Sequence, residues 1–506
     1  MTTYHVWIDT ADDGQPAAQG DISADVVALD WRLGMARAYE NISAPASARV
    51  TVRNWGGAHS PERGTLERGQ FLRITSTDGA TSRTHFSGFI ERVEPTAGEG
   101  GERLAHIIAH GADAGLRAQS VSLPPLLDVT ADAVIAAVLA ACRWRLYPSA
   151  PYCLIDVDGR STIDASTVYG EDGIERDLQG GISRFAYVGD TWRDGVPAWS
   201  AISEAVNSER GRFFIDRDGR AVFHNRHHTM TEPTVSATLT DDMHDLRYVY
   251  GDAISNEVTV NVRPRRVGLP DDIVWTLASP QRIPAGRVQT LRAIYHRADG
   301  QPTGALDVAH PLPYTHYSAT QTAHPASADR TIALEITMQA SAANATLRIR
   351  NTGTSDVYLQ ELTLRGTPLQ SGDPVALILS DAVGIALYGL RPSRVDLPQV
   401  SSVEEAERIG LYELNRRKQP RGRVVAVTLW TASHPAALDI VLFDRVRIEE
   451  AQTGHAAEYL VIGEAHTVQR GGTRHHIEWT LEPADDDVYF VVDRADIGGD
   501  RLILPF

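Results

Sequence analysis

The chain has 506 residues and a formal net charge of -17 at pH 7. That balance argues against nucleic acid as a tightly held partner, because phosphate binding needs a concentrated positive face. Lys418 is the only lysine, so no Gly-x-x-x-x-Gly-Lys phosphate loop exists either.

The length predicts about three or four domains. Gly 41 and Pro 26, with short strand-like runs between them, favour β over α. The fold class predicted is mainly β with some α: two related small β-barrel domains, an α+β middle region and an inserted β-sandwich. Residues 1–120 read as the first barrel, with Ala48 to Asn54 an alternating strand ended by Gly56-Gly57. From Leu123-Pro124-Pro125 an α+β domain runs to 275. In it Thr130 or Asp132 can cap a helix through Cys142, and a second helix, Trp192 to Asn207, closes at Gly211. The apolar run Ala133 to Cys142 has core-helix length, too short to cross a bilayer. Asp218-Gly219 between two apolar runs marks a hairpin over 211–223. Residues 276–370 read as the inserted sandwich, with strands 344–351 and 356–365 across Thr352-Gly353-Thr354. The second barrel spans 371–485. It contains a helix over 403–419 with a Ser402/Glu405 capping box, an apolar face of Val403, Ala406, Ile409 and Leu414, and Pro420 as its stop. Residues 486–506 form a tail.

One β-module is written twice. Near the start, Gly69 to Ile74 leads through Asp78-Gly79 into Phe86 to Val93, then a Gly-rich loop and Arg103 to Ile108. Near the end, Phe443 to Ile448 leads through Thr453-Gly454 into Tyr459 to Glu464, then Gly471-Gly472 and His476 to Leu481. Arg73-Ile74 and Arg447-Ile448 close the first strands, and Gly88 and Gly463 lie in the second. Alternation with a period of two between glycine turns signals antiparallel strands with one buried face. Residues 70–110 and 443–482 are therefore expected to adopt the same topology.

The order of these pieces resembles the minor tail proteins that form the tail-tip or baseplate hub of tailed phages. The stretches that carry the resemblance include Asn54 to Ser60-Pro61, Gly69 to Arg73 with Phe86 to Ile90, and Ser208 to Gly211 with the Asp218-Gly219 turn. They continue with Leu364 to Leu369, Tyr388-Gly389 before the capped helix, and Val491 to Asp493 with Ile497-Gly498. The resemblance implies a homotrimer at the distal end of a tail tube, with two barrels per chain in a pseudo-six-fold ring. It also implies distal tail and tail tube, tape measure and tail fibre or tip proteins as partners, transient passage of DNA, no stable membrane insertion, and residence at the tail tip of the virion after assembly in the bacterial host cytoplasm. A conduit for a polyanion is expected to have a neutral to acidic wall.

No enzyme, cofactor or metal site is read from the residues. Asp156 to Gly159 and Asp216 to Gly219 begin like calcium loops but lack the closing glutamate, and read as hairpin turns. His224, His227 and His228 follow a strand without cysteines or a helical His-x-x-x-His pattern. Asp241 to Asp245 and Asp485 to Asp487 read as solvated turns. Ser200, Ser208 and Ser255 lie in no Gly-x-Ser-x-Gly elbow, and Glu404-Glu405 suit a helix start. Cys142 and Cys153 fit two free thiols in a reducing compartment better than a disulfide. The start, Met-Thr-Thr-Tyr-His, lacks the features of a signal peptide. The alternative function is an adhesin or carbohydrate-binding protein using the sandwich, with Trp275, Tyr295, Tyr314 and Tyr317 as stacking platforms.

Overall fold

The computed structural model describes residues 2–10, 20–79, 81–96, 102–142, 176–193, 195–231, 234–484, 488–489 and 502–503. Cys153, Asp156 to Gly159, Asp485 to Asp487, Val491 to Asp493 and Ile497-Gly498 lie outside them. The fold is mainly β with a few helices.

Six strands open the chain: β1 (Thr3–Ile8), β2 (Val26–Gly34), β3 (Ser47–Arg53), β4 (Phe71–Asp78), β5 (Thr81–Pro95) and β6 (Leu104–His110). Their alternation decides which face is inside. In β3 Ala48, Val50 and Val52 are buried while Arg49 and Arg53 face water, and β6 buries Ala105, Ile107 and Ala109. They pair in the order β1, β4, β5, β6, β3, β2.

A hairpin of β7 (Arg212–Ile215) and β8 (Ala221–His224) turns at Asp218-Gly219, with Gly219 at φ 87°. Two further strands follow, β9 (Val235–Leu239) and β10 (Asp245–Tyr250). The chain then departs over residues 251–421, and the expected boundaries at 275/276 and 370/371 fall inside this excursion. Within it β11 (Glu257–Val262), β12 (Val375–Ser380) and β13 (Pro392–Leu397) make a small sheet, and residues 265–371 make two more sheets. Those two face each other across a core drawn from Val274 to Leu364. The chain returns as β14 (Gly422–Trp430), β15 (Arg445–Glu450), β16 (His455–Gln469) and β17 (Arg474–Pro483).

The six strands β9, β10, β14, β15, β16 and β17 repeat the plan of the first six. They pair as β9, β15, β16, β17, β14, β10, which is the first order position for position. One pairing differs in sense: β1 is antiparallel to β4, whereas β9 is parallel to β15. Finer marks agree. The ladders β5–β6 and β16–β17 slip between Ile90 and Arg92 and between Val461 and Gly463. Ile90 exchanges backbone hydrogen bonds with Gly69 and Gln70, as Val461 does with Phe443 and Asp444. Gly69 and Phe443 both have positive φ, and so do Gly34, the last residue of β2, and Gly251, which follows β10. Ile90 is thus the counterpart of Val461, and Arg73-Ile74 that of Arg447-Ile448. Gly88 and Gly463 lie in equivalent strands four places apart.

The expected closed barrels are corrected. Among the described residues neither unit closes: β2 gives its second edge to the other unit, and β10 pairs with β14 alone. Ala28 to Gly34 pair antiparallel with Gln469 to Gly463, and all twelve strands become one open sheet.

The helices gather in the middle region. α1 (Ala131–Ala141) and α2 (Ala198–Glu209) share one core with the hairpin and the β11–β13 sheet. Thr130 precedes α1 without a side-chain cap, and Asp132 instead accepts from the Gly181 N–H. α3 (Val403–Arg417) starts at Ser402, whose hydroxyl accepts from the Glu405 N–H at 3.2 Å. Its buried face holds Ala406, Ile409 and Leu414, whereas Val403 is 43% exposed.

Gly34 and Gly463 face each other where the units join. A Cβ on Gly34 would stand 2.4 Å from the Ile462 carbonyl at φ 86°. Gly34→Ala should lose about 1–3 kcal/mol of stability in denaturant unfolding. Gly454→Ala, at φ 69° with nothing near its Cβ, should lose less; equal losses would mean that the close approach does not matter.

Candidate functional site

The seam between the two units concentrates the buried polar chemistry of the molecule. Trp31 of β2 stacks on His466 of β16 with ring centres 4.6 Å apart. His466 Nδ1 lies 2.9 Å from His475 Nε2, and the other nitrogen of His475 meets the Tyr4 hydroxyl. His85 of β5 approaches the same group and bonds Ser76 at 2.7 Å. Burial lowers all three imidazoles below their ordinary value, His475 to about 2; neighbouring positive charge adds to the effect at His85 and His475, whereas Glu464 works against it at His466. They are neutral packing groups, not proton carriers at neutral pH.

Beside them the β7–β8 turn delivers Arg217 into the seam. Its guanidinium holds Glu464 of β16 through two bonds of 2.8 and 2.6 Å, and donates to the carbonyls of Leu438 and Ile440. Burial opposes ionisation of Glu464, but the Arg217 charge and hydrogen bonds prevail and hold its pKa well below the usual range. A second clasp centres on Glu482 at the end of β17, which accepts from Arg212, Arg416 and the Tyr39 N–H. A third pairs Arg210 with Glu413 of α3, whose carboxyl falls to about 2: burial raises it and Arg210 more than compensates. Hairpin, α3 and both units are thereby tied together. None of these residues stood out in the sequence, because inward histidines and carboxylates on alternating strands look like any other polar position.

The residues singled out from the sequence are scattered. His224 and His228 stack at 3.6 Å, and burial then His228 lower His224 to about 3. Among the described residues no three His, Cys, Asp or Glu side chains are grouped to hold a metal. Asp216 accepts from the N–H groups of Asp218 and Arg220, so this loop is a turn. Asp241 caps Ala451, and Asp242 lies near His434. Ser200 is exposed, Ser208 bonds Glu204 and Gln399 backbone, and Ser255 meets Ser393. Glu405 bonds Ser183. Cys142 is buried. Of the four aromatics near the sandwich, Tyr295 and Tyr317 are core, Trp275 packs against it, and Tyr314 is exposed.

A cleft of about 770 Å³ opens beside the seam, walled by the β4–β5 hairpin, the β7–β8 turn and residues 438–445. Its arginines are engaged: Arg83 with Asp439, Arg220 with Asp216 and Arg445 with Glu458.

No family model matches the sequence, and no curated protein is similar to it at a significant level. Solved structures are similar to it along most of its length. A tail protein from Neisseria meningitidis is 10% identical, with 95% of this chain and 96% of that chain covered and a TM-score of 0.47. The 43 kDa tail protein of prophage MuSo2 from Shewanella oneidensis is 11% identical, with 96% and 100% covered and the same TM-score, 0.47. A type VI secretion component of E. coli, described as structurally similar to phage T4 tail proteins, is 10% identical, covering 91% and 74% at a TM-score of 0.36.

Two outcomes follow from the seam. Arg217→Ala strands the buried Glu464 charge and should lower stability by about 3–5 kcal/mol in denaturant unfolding; a loss under 1 kcal/mol would show that water screens the pair. The histidines give a pH dependence. Their folded pKa values are lowered, so below about 6.5 the unfolded chain binds more protons and stability falls with pH. From pH 7.5 to 5.5 His475 should remove about 1.4 kcal/mol, with His85 and His466 acting in the same direction, whereas Glu464 and Glu413 lose their effect only below about pH 4.3. A flat profile over that range would contradict buried neutral imidazoles.

Proposed function

We propose that this chain is a structural protein of a phage-type tail, a homotrimeric hub at the distal end of the tail tube through which DNA passes. The duplicated six-strand unit carries this reading. Three chains, each with two equivalent units, present six similar modules around one axis, which matches a three-fold object to a six-fold tube. The seam supports it mechanically, since buried Arg–Glu clasps and close backbone approach hold the two units as one rigid segment of a ring.

Its partners on this reading are the tube and distal tail proteins, the tape measure protein, and fibre or tip proteins, with DNA in transit. An anionic chain suits a neutral to acidic lumen, which leaves the counterions of passing DNA in place instead of gripping phosphate. The adhesin reading is disfavoured: stacking on sugar needs adjacent exposed rings, and two of its four aromatics are core.

Light scattering of the purified chain, alone and with its tube neighbour, should give three times the mass of one chain. A monomer in both samples would contradict the hub.

A further inference from the structure

The join between the units uses one edge of each kind and leaves one of each kind open. Inside the chain, the second strand of the first unit, β2, lies along the latter half of the fifth strand of the second unit, β16. The complementary pair is β10, the second strand of the second unit, and the latter half of β5, the fifth strand of the first. Among the described residues β10 pairs with β14 alone and ends the sheet, and β5 beyond Ile90 pairs with β6 alone. Both carry unpaired backbone groups on that side, a template for another strand. They stand at opposite ends of the repeat, so they do not meet within one chain.

We propose that β10 of one chain adds to the β5 edge of a second copy, repeating between chains the join that β2 and β16 make within one. This rests on the hub reading and supplies its interface: three such joins close the ring, each heterologous. The counterparts set the register. Gly251 corresponds to Gly34, and Arg92 to Gly463, because each glycine sits at the end of a second strand with positive φ and each of the other two follows the slip in the fifth. Gly34 faces Gly463, so Gly251 faces Arg92 of the next copy, and antiparallel pairing then sets Tyr250 on Val93, Val249 on Glu94 and Arg247 on Thr96.

The side chains agree with that register. Tyr250 is 67% exposed, and a valine opposite covers it. Arg247 stands diagonal to Glu94, an opposite-charge pair on the exposed face. Pro95, opposite Tyr248, has no N–H to offer, so the joined ladder lacks one hydrogen bond at that position.

Paired cysteines in the full-length chain test the joint. By the alternation seen in the intramolecular join, Val249 and Glu94 fall at a non-hydrogen-bonded pair, with Cα atoms about 4.5 Å apart, within disulfide reach. Under mild oxidation the V249C/E94C double variant should give a covalent dimer and trimer on non-reducing gels, and neither single variant should. V249C/R92C, two residues out of register and about 7–8 Å apart, should give little. Light scattering of the same samples separates the two claims. A trimer that does not cross-link, or that cross-links better through Arg92, overturns this joint and leaves the hub standing. A chain that stays monomeric overturns both.

Discussion

The backbone ladder between β2 and β16 is the constraint on which the rest depends. Seven residue pairs from Ala28–Gln469 to Gly34–Gly463 join strands more than 400 places apart in the sequence. Closing so long a loop is entropically unfavourable, though the penalty grows only slowly with length. What offsets it is the continuous apolar face that the joined sheet presents, including Trp31, Leu29, Leu460 and Ile462 in one core. Without this join each unit would expose one more open edge, a liability that proteins ordinarily cover.

The buried charges make sense against that ladder. Arg217 and Glu464 do little for stability in net terms, because both must leave water. They do fix position: the bidentate geometry and two carbonyl acceptors allow the hairpin turn one placement against β16. Glu482, held by Arg212 and Arg416, fixes α3 against the same unit.

The sequence revealed the strands and turns that carry local signals. Arg73-Ile74 and Arg447-Ile448 are true counterparts, the Asp218-Gly219 hairpin forms, and Ser402 caps its helix where the spacing placed it. Three things were not legible. Strands β9 and β10 belong to the second unit, yet they precede a long excursion and are only half-buried, so their alternation gives no clue to partners so far away. Closed barrels were expected because alternation shows which face is buried and not whether an edge strand pairs with its own unit or another. The histidine cluster escaped notice because His85, His466 and His475 gather through register, which no local spacing encodes.

The central claim is that the duplicated unit makes each chain two sixths of a closed ring. An electron-microscopy map of the isolated oligomer tests it most directly. The account predicts three-fold symmetry with six similar β-modules around one axis and unbroken sheet density from β10 into the neighbouring β5. A two-fold particle, or a ring whose modules meet through the 265–371 region with β10 left open, would contradict it.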